Sequence, residues 1–98
     1  MFVNKIDSCR GIVAICDSEI LGKYFDEGIL QLDIKESFYK GKEVSEQELR
    51  EIMEDMIRED ATFNIVGKKS IKVALEVGLI TDESIGYVKG IPFALVLL

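Results

Sequence analysis

Few residue types in this chain could do chemistry, and the missing ones narrow it most. Histidine is absent from all 98 positions. That removes the commonest general base and the commonest metal ligand. A Ser-His-Asp or Cys-His arrangement cannot be built within one such chain. The two cysteines, Cys9 and Cys16, fall short of the roughly four ligands that close a structural zinc site. Cys16 precedes Asp17, and a thiol at a strand end before a helix N-terminus has a lowered pKa. No partner base accompanies it, so Cys16 reads as a small core residue. A Cys9–Cys16 disulfide is disfavoured in a reducing compartment. No catalytic residue, metal ligand or cofactor is assigned.

Two lysine-bearing stretches are candidates for binding instead. Asn64–Ser70 runs strand, glycine, helix. It fails the G-x-x-x-x-G-K-[ST] phosphate loop, which needs glycine at 62 and Ser or Thr at 69, where Thr62 and Lys69 stand. A weaker anion or phosphate site remains an expectation for Gly67, Lys68, Lys69 and Ser70. Glycine leaves the backbone amides unobstructed, and the first helical N–H groups lack intrahelical partners. In the second stretch, Phe38 and Tyr39 are interleaved with Lys35, Lys40 and Lys42. Exposed aromatics stack on bases and lysines track phosphates, the pattern of a nucleic-acid surface. The competing reading folds both rings back onto the core.

Carboxylates are plentiful but concentrated. Residues 45–60 hold seven acids and two bases, a charge of −5 in a chain of net −6. Glu51 and Asp55 form a repulsive i, i+4 pair, while Glu46–Arg50 and Glu54–Arg58 are attractive ones. This is the pattern of a solvated helix face, with an acidic docking face as the alternative to a catalytic pair. A global basic footprint for nucleic acid is missing, so only a local patch could serve.

The elements that must position these residues follow from periodicity. Phe2–Ile6 and Gly11–Cys16 read as strands joined by a turn at Asp7–Arg10, the second strand apolar on both faces. Asp17 or Ser18 offers an N-cap for a helix over 18–26 that Gly28 stops. Ile29–Lys35 alternates as a strand with one wet face, and a loop follows from Glu36 to Glu43. Ser45 and Glu48 form a capping box for a helix over 46–59. Leu49, Ile52, Met53, Met56 and Ile57 make its inner face. Thr62–Val66 is a strand, 68–77 a helix ended by Gly78, and Ser84–Val88 and Ile91–Leu98 the last strands. The order ββαβαβαββ predicts an α+β fold, a mixed sheet of about six strands with three helices mainly on one face.

Apolar residues are 48% of the chain and charged residues 31%, an ordinary globular balance for one domain of 98 residues. The start lacks the basic and apolar regions of a signal peptide. The longest apolar run, Ile91–Leu98, is far short of the ~20 residues of a membrane helix. A cytoplasmic protein without membrane contact is expected. That same run, if it forms an edge, is expected to pair two copies into a homodimer.

Taken in order, Cys16-Asp17 with Leu21-Gly22-Lys23, Phe38-Tyr39 with Gly41, Ala61-Thr62 with Asn64-Ile65-Val66-Gly67, Gly78-Leu79-Ile80 and Gly90-Ile91-Pro92-Phe93-Ala94 resemble an archaeal domain-of-unknown-function family, number 424. The resemblance spans essentially the whole chain and rests on the ordered set. It brings no activity or catalytic residue. It implies an archaeal cytoplasm and an association with translation-related genes. The leading expectation is therefore a non-enzymatic interaction module for RNA or a protein of the translation machinery. The alternative is a small phosphate-ligand binder or enzyme using the Gly67 turn.

Overall fold

The computed structural model describes residues 1–6 and 11–97. Its strands are β1 (Phe2–Ile6), β2 (Ile12–Cys16), β3 (Tyr24–Glu27), β4 (Leu30–Asp33), β5 (Lys42–Glu43), β6 (Thr62–Val66), β7 (Gly86–Val88) and β8 (Ile91–Val96). The helices are α1 (Glu36–Tyr39), α2 (Glu46–Arg58) and α3 (Lys68–Glu76), with 3-10 turns at Ser18–Ile20 and Asp82–Ser84. Six strands form one mixed sheet in the order β5-β1-β2-β6-β8-β7, and β3 and β4 form a separate hairpin. Only β2 and β6 run parallel among these pairs; the others are antiparallel. This is the expected α+β class. The turn expected at Asp7–Arg10, Cys9 with it, and the last residue, Leu98, lie outside the described residues.

The doubly apolar second strand is central, as its composition requires. Val13 and Ile15 face a cluster with Leu49 and Met53 of α2, Ile71, Val73 and Ala74 of α3, and Phe63 and Ile65 of β6. Ala14 and Cys16 face the other way, into a smaller cluster with Ile20, Ile34, Tyr39 and Val66, flanked by Phe25, Leu32 and Phe38. The larger helices therefore cover one face, while the hairpin and α1 cover part of the other. No helix among the described residues is long and apolar enough to cross a membrane.

The first expected helix is not there. Residues 18–26 make one 3-10 turn and then the strand β3. Gly22 sits at φ +82°, which interrupts any helix after Leu21. Tyr24 pairs with Asp33 and Phe25 with Leu32, so Phe25 turns inward and Tyr24 outward with period two. Adjacent apolar pairs at 20–21 and 24–25 imitate a helical face, and tertiary pairing decided between them. Gly28, at φ +65°, turns the hairpin rather than ending a helix. The expected loop at 36–43 contains α1 and β5. The expected edge strand at Ile91–Leu98 is instead β8, which lies between β6 and β7 in the sheet, β7 pairing with it over Ile91–Phe93.

The capping box at α2 forms as expected, with Glu48 N–H donating to Ser45 Oγ at 3.2 Å and Ser45 N–H to Glu48 Oε1 at 3.4 Å. Leu49 and Met53 are fully buried, while Ile52, Met56 and Ile57 are half-buried against the same core. Ile52→Ala is therefore expected to cost about 1–2 kcal/mol, below the roughly 2–5 of a fully buried isoleucine. Glu54→Ala on the wet face should stay within about 0.5 kcal/mol. Urea denaturation giving equal costs at both positions would mean that α2 is rotated from this packing.

Candidate functional site

The parallel strands β2 and β6 end side by side, and the chain leaves each toward the same end of the sheet. Asp17 N–H donates to the Val66 carbonyl at 3.1 Å and Gly67 N–H to that of Pro92 at 2.9 Å, so the ends of β2, β6 and β8 are stitched together. Such a pair of strand ends, with a helix starting from one of them, is where open α/β sheets commonly hold anions. Here the protein supplies the anion. The Asp17 carboxylate accepts the N–H of Lys69 through Oδ2 at 3.0 Å. Through Oδ1 it accepts the N–H and the hydroxyl of Ser70, at 2.8 and 2.7 Å. Asp17 and Ser70 are both buried. The charge sits against the positive end of α3, which favours it electrostatically. Asp17 thus caps α3, more than fifty residues away, and not the turn that directly follows it.

Gly67 makes this approach feasible. Its φ is +113°, and a Cβ there would overlap the Asp17 carboxylate. Of the four residues expected to hold a phosphate, Gly67 and Ser70 are thus occupied within the fold, together with the Lys69 amide. The side chains of Lys68 and Lys69 are exposed, and Lys69 Nζ lies 3.5 Å from Glu19.

The second lysine stretch is also rearranged by packing. Tyr39 is buried at 8% exposure and Phe38 is half-buried, the two rings meeting edge to face at 5.0 Å. Asn4 Nδ2 donates to the Phe38 carbonyl at 2.8 Å and ties this turn to β1. The expected base-stacking platform is not presented, because burial of the Tyr39 ring wins. Lys35, Lys40 and Lys42 stay exposed. Lys35 pairs with Asp33 at 3.8 Å and Lys42 with Glu48 at 3.5 Å.

Cys16 is a free, fully buried thiol. Burial, and then the neighbouring Asp17 charge, push its pKa from 9.0 to about 11. Burial likewise pushes the Tyr39 phenol from 10.0 to about 12. Both groups keep their protons in the folded state at pH values where the unfolded chain has released them. The unfolded state then binds fewer protons, so stability must fall as pH rises from about 9 toward 11 and 12. Urea midpoints should therefore drop across this range, and Cys16→Ala should remove the earlier part of the drop. A thiol reagent at about pH 8 should label Cys16 only on unfolding.

What the sequence did not single out is a groove of about 500 Å³ between the outer strands and α2. Val3, Asn4 and Lys5 of β1 and Gly41-Lys42 form one wall; Glu48, Glu51, Ile52 and Asp55 of α2 form the other. Glu48, Ile52 and Asp55 fall on one helix stripe, so the acidic outer face of α2 overhangs the groove and Val3 and Ile52 make it partly apolar. Gly41 is required at its end: a Cβ would overlap the Val3 carbonyl and stand 2.9 Å from Asn4 Cα. The signal available in the sequence was the concentration of charge in 45–60.

The chain belongs to the family described as "Protein of unknown function (DUF424)", whose model matches residues 6–98. No curated protein matches the sequence. Among solved structures, it is similar to an uncharacterized conserved protein from Methanopyrus kandleri. The two share 24% identity and a TM-score of 0.81, over 98% of this chain and 90% of that one. At that identity the likeness shows the fold alone.

Proposed function

We propose that this DUF424 protein is an interaction module that docks a basic protein segment in the groove between β1, β5 and α2. The observation that carries this is the groove itself: a partly apolar cleft whose α2 wall presents Glu48, Glu51 and Asp55, within the segment 45–60 that holds −5 of the chain's net −6 charge. The opposite wall carries Lys5 and Lys42, the latter 3.5 Å from Glu48, and Asp55 pairs with Arg58 at 2.7 Å. It is thus the α2 side of the cleft, at Glu51 above all, that attracts positive side chains and repels like-charged partners such as nucleic acid. The remaining features favour binding over catalysis. The Cys16 thiol is shielded and held protonated, and both Asp17 oxygens are engaged in capping α3.

The test is fluorescence anisotropy with a labelled Lys/Arg-rich dodecapeptide and a labelled single-stranded RNA dodecamer, each at low and physiological salt. The peptide should bind the wild-type protein and Lys68→Glu/Lys69→Glu alike. Glu51→Lys/Asp55→Lys should weaken it by about tenfold or more. RNA binding that is lost in Lys68→Glu/Lys69→Glu, with no peptide binding, would overturn this reading in favour of a phosphate-contacting surface at Lys68 and Lys69.

A further inference from the structure

We infer that the docked segment binds in extended form, adding as a strand to the outer edge of β1 at Lys5. This rests on the groove reading above and deepens it by fixing the mode of recognition. The edge strand β5 is two residues long and pairs only with Phe2 and Val3, whereas β1 continues to Ile6. Beyond Val3, the outer edge of β1 has no strand partner among the described residues. The reason is local. At Gly41 the chain passes so close over Val3 and Asn4 that no side chain fits, and β5 begins only at Lys42.

The phase of the open edge can be fixed. Met1 N–H donates to the Val44 carbonyl at 3.2 Å, and Val44 N–H to the Met1 carbonyl at 2.7 Å. Outward and inward main-chain groups alternate along an antiparallel strand, so residues 1, 3 and 5 turn theirs toward the β5 side. Lys5 is the first of them that β5 does not reach. Its N–H and C=O therefore face the side on which the groove lies, whose lining runs from Val3 through Asn4 to Lys5. An added strand would take its main-chain hydrogen bonds there, and alternate side chains would face Ile52 and the carboxylates of Glu51 and Asp55. A lysine on an open edge discourages pairing with arbitrary strands. With Lys5 and Lys42 on the β side and Glu51 and the Arg58-paired Asp55 on α2, the groove then selects a segment whose positive side chains lie on the α2 side of the added strand.

The experiment uses a terminally blocked decapeptide of alternating Lys and Val, and two versions N-methylated at either the lysines or the valines. N-methylation removes the main-chain donor while keeping the charge. Only one alternate set of amides can face β1, so one version should bind about tenfold or more weaker and the other like the parent. Hydrogen exchange at the Lys5 amide should slow when the parent peptide is bound. If both methylated versions bind like the parent and Lys5 exchange is unchanged, strand addition is overturned while the groove reading stands. If the parent itself does not bind, the groove reading falls as well.

Discussion

Asp17→Ala should destabilise the protein by about 3 kcal/mol, because it strands two amides and a hydroxyl, those of Lys69 and Ser70, that now share one carboxylate. Hydrogen bonds to charged groups are each worth about 1.5–3 kcal/mol, and a lost helix cap alone costs about 1. Water can reach some of these groups after truncation, which keeps the total below the sum. Ser70 is fully buried, so its N–H and hydroxyl bear most of the loss. With a urea m-value of about 1–2 kcal/mol/M, the midpoint should fall by about 1.5–3 M. Asp17→Asn should lose less, since one oxygen remains to accept. A cost below about 0.5 kcal/mol for Asp17→Ala would mean that the carboxylate does not hold α3 to β2.

Gly67→Ala should be at least as damaging, about 3–4 kcal/mol, although it adds only a methyl group. Two costs combine. At φ +113° and ψ 152° an L-residue is strained by about 1–3 kcal/mol. The new Cβ would also overlap the Asp17 carboxylate and push it off the Lys69 and Ser70 amides. For a domain of this size the melting temperature should fall by roughly 15–25 °C. The second cost vanishes once the carboxylate is gone. The double variant Asp17→Ala/Gly67→Ala should therefore cost clearly less than the two single variants added together. Strict additivity would show that Gly67 acts through backbone strain alone.

Local signals carried much of the fold. The S-x-x-E box at Ser45–Glu48 and the spacing of Leu49, Ile52, Met53, Met56 and Ile57 placed α2, and the apolar run to Cys16 placed the central strand. The departures come where two periods coincide. Ile20-Leu21 and Tyr24-Phe25 satisfy a helical face, yet Gly22 and the pairing of Phe25 with Leu32 make a hairpin. Long-range contacts are illegible for a different reason. By local pattern Asp17 is a cap for its own neighbours, because a carboxylate's partner across more than fifty residues leaves no local trace. The Gly67 turn is legible as an anion site, and the structure fills it from within. Phe38 and Tyr39 could serve exposed or buried, and the second core layer takes Tyr39. The groove needs β1 and α2 brought together, which neither segment announces alone.

The central claim is that a basic segment docks between β1 and α2. Amide chemical-shift mapping of the ¹⁵N-labelled protein during titration with the Lys/Val decapeptide tests it most directly. Saturable shifts should concentrate at Val3, Asn4, Lys5 and Lys42 and along Glu48–Asp55, leaving Gly67–Ser70 unmoved. Shifts centred on Gly67–Ser70, or scattered over the surface without saturation, would contradict it.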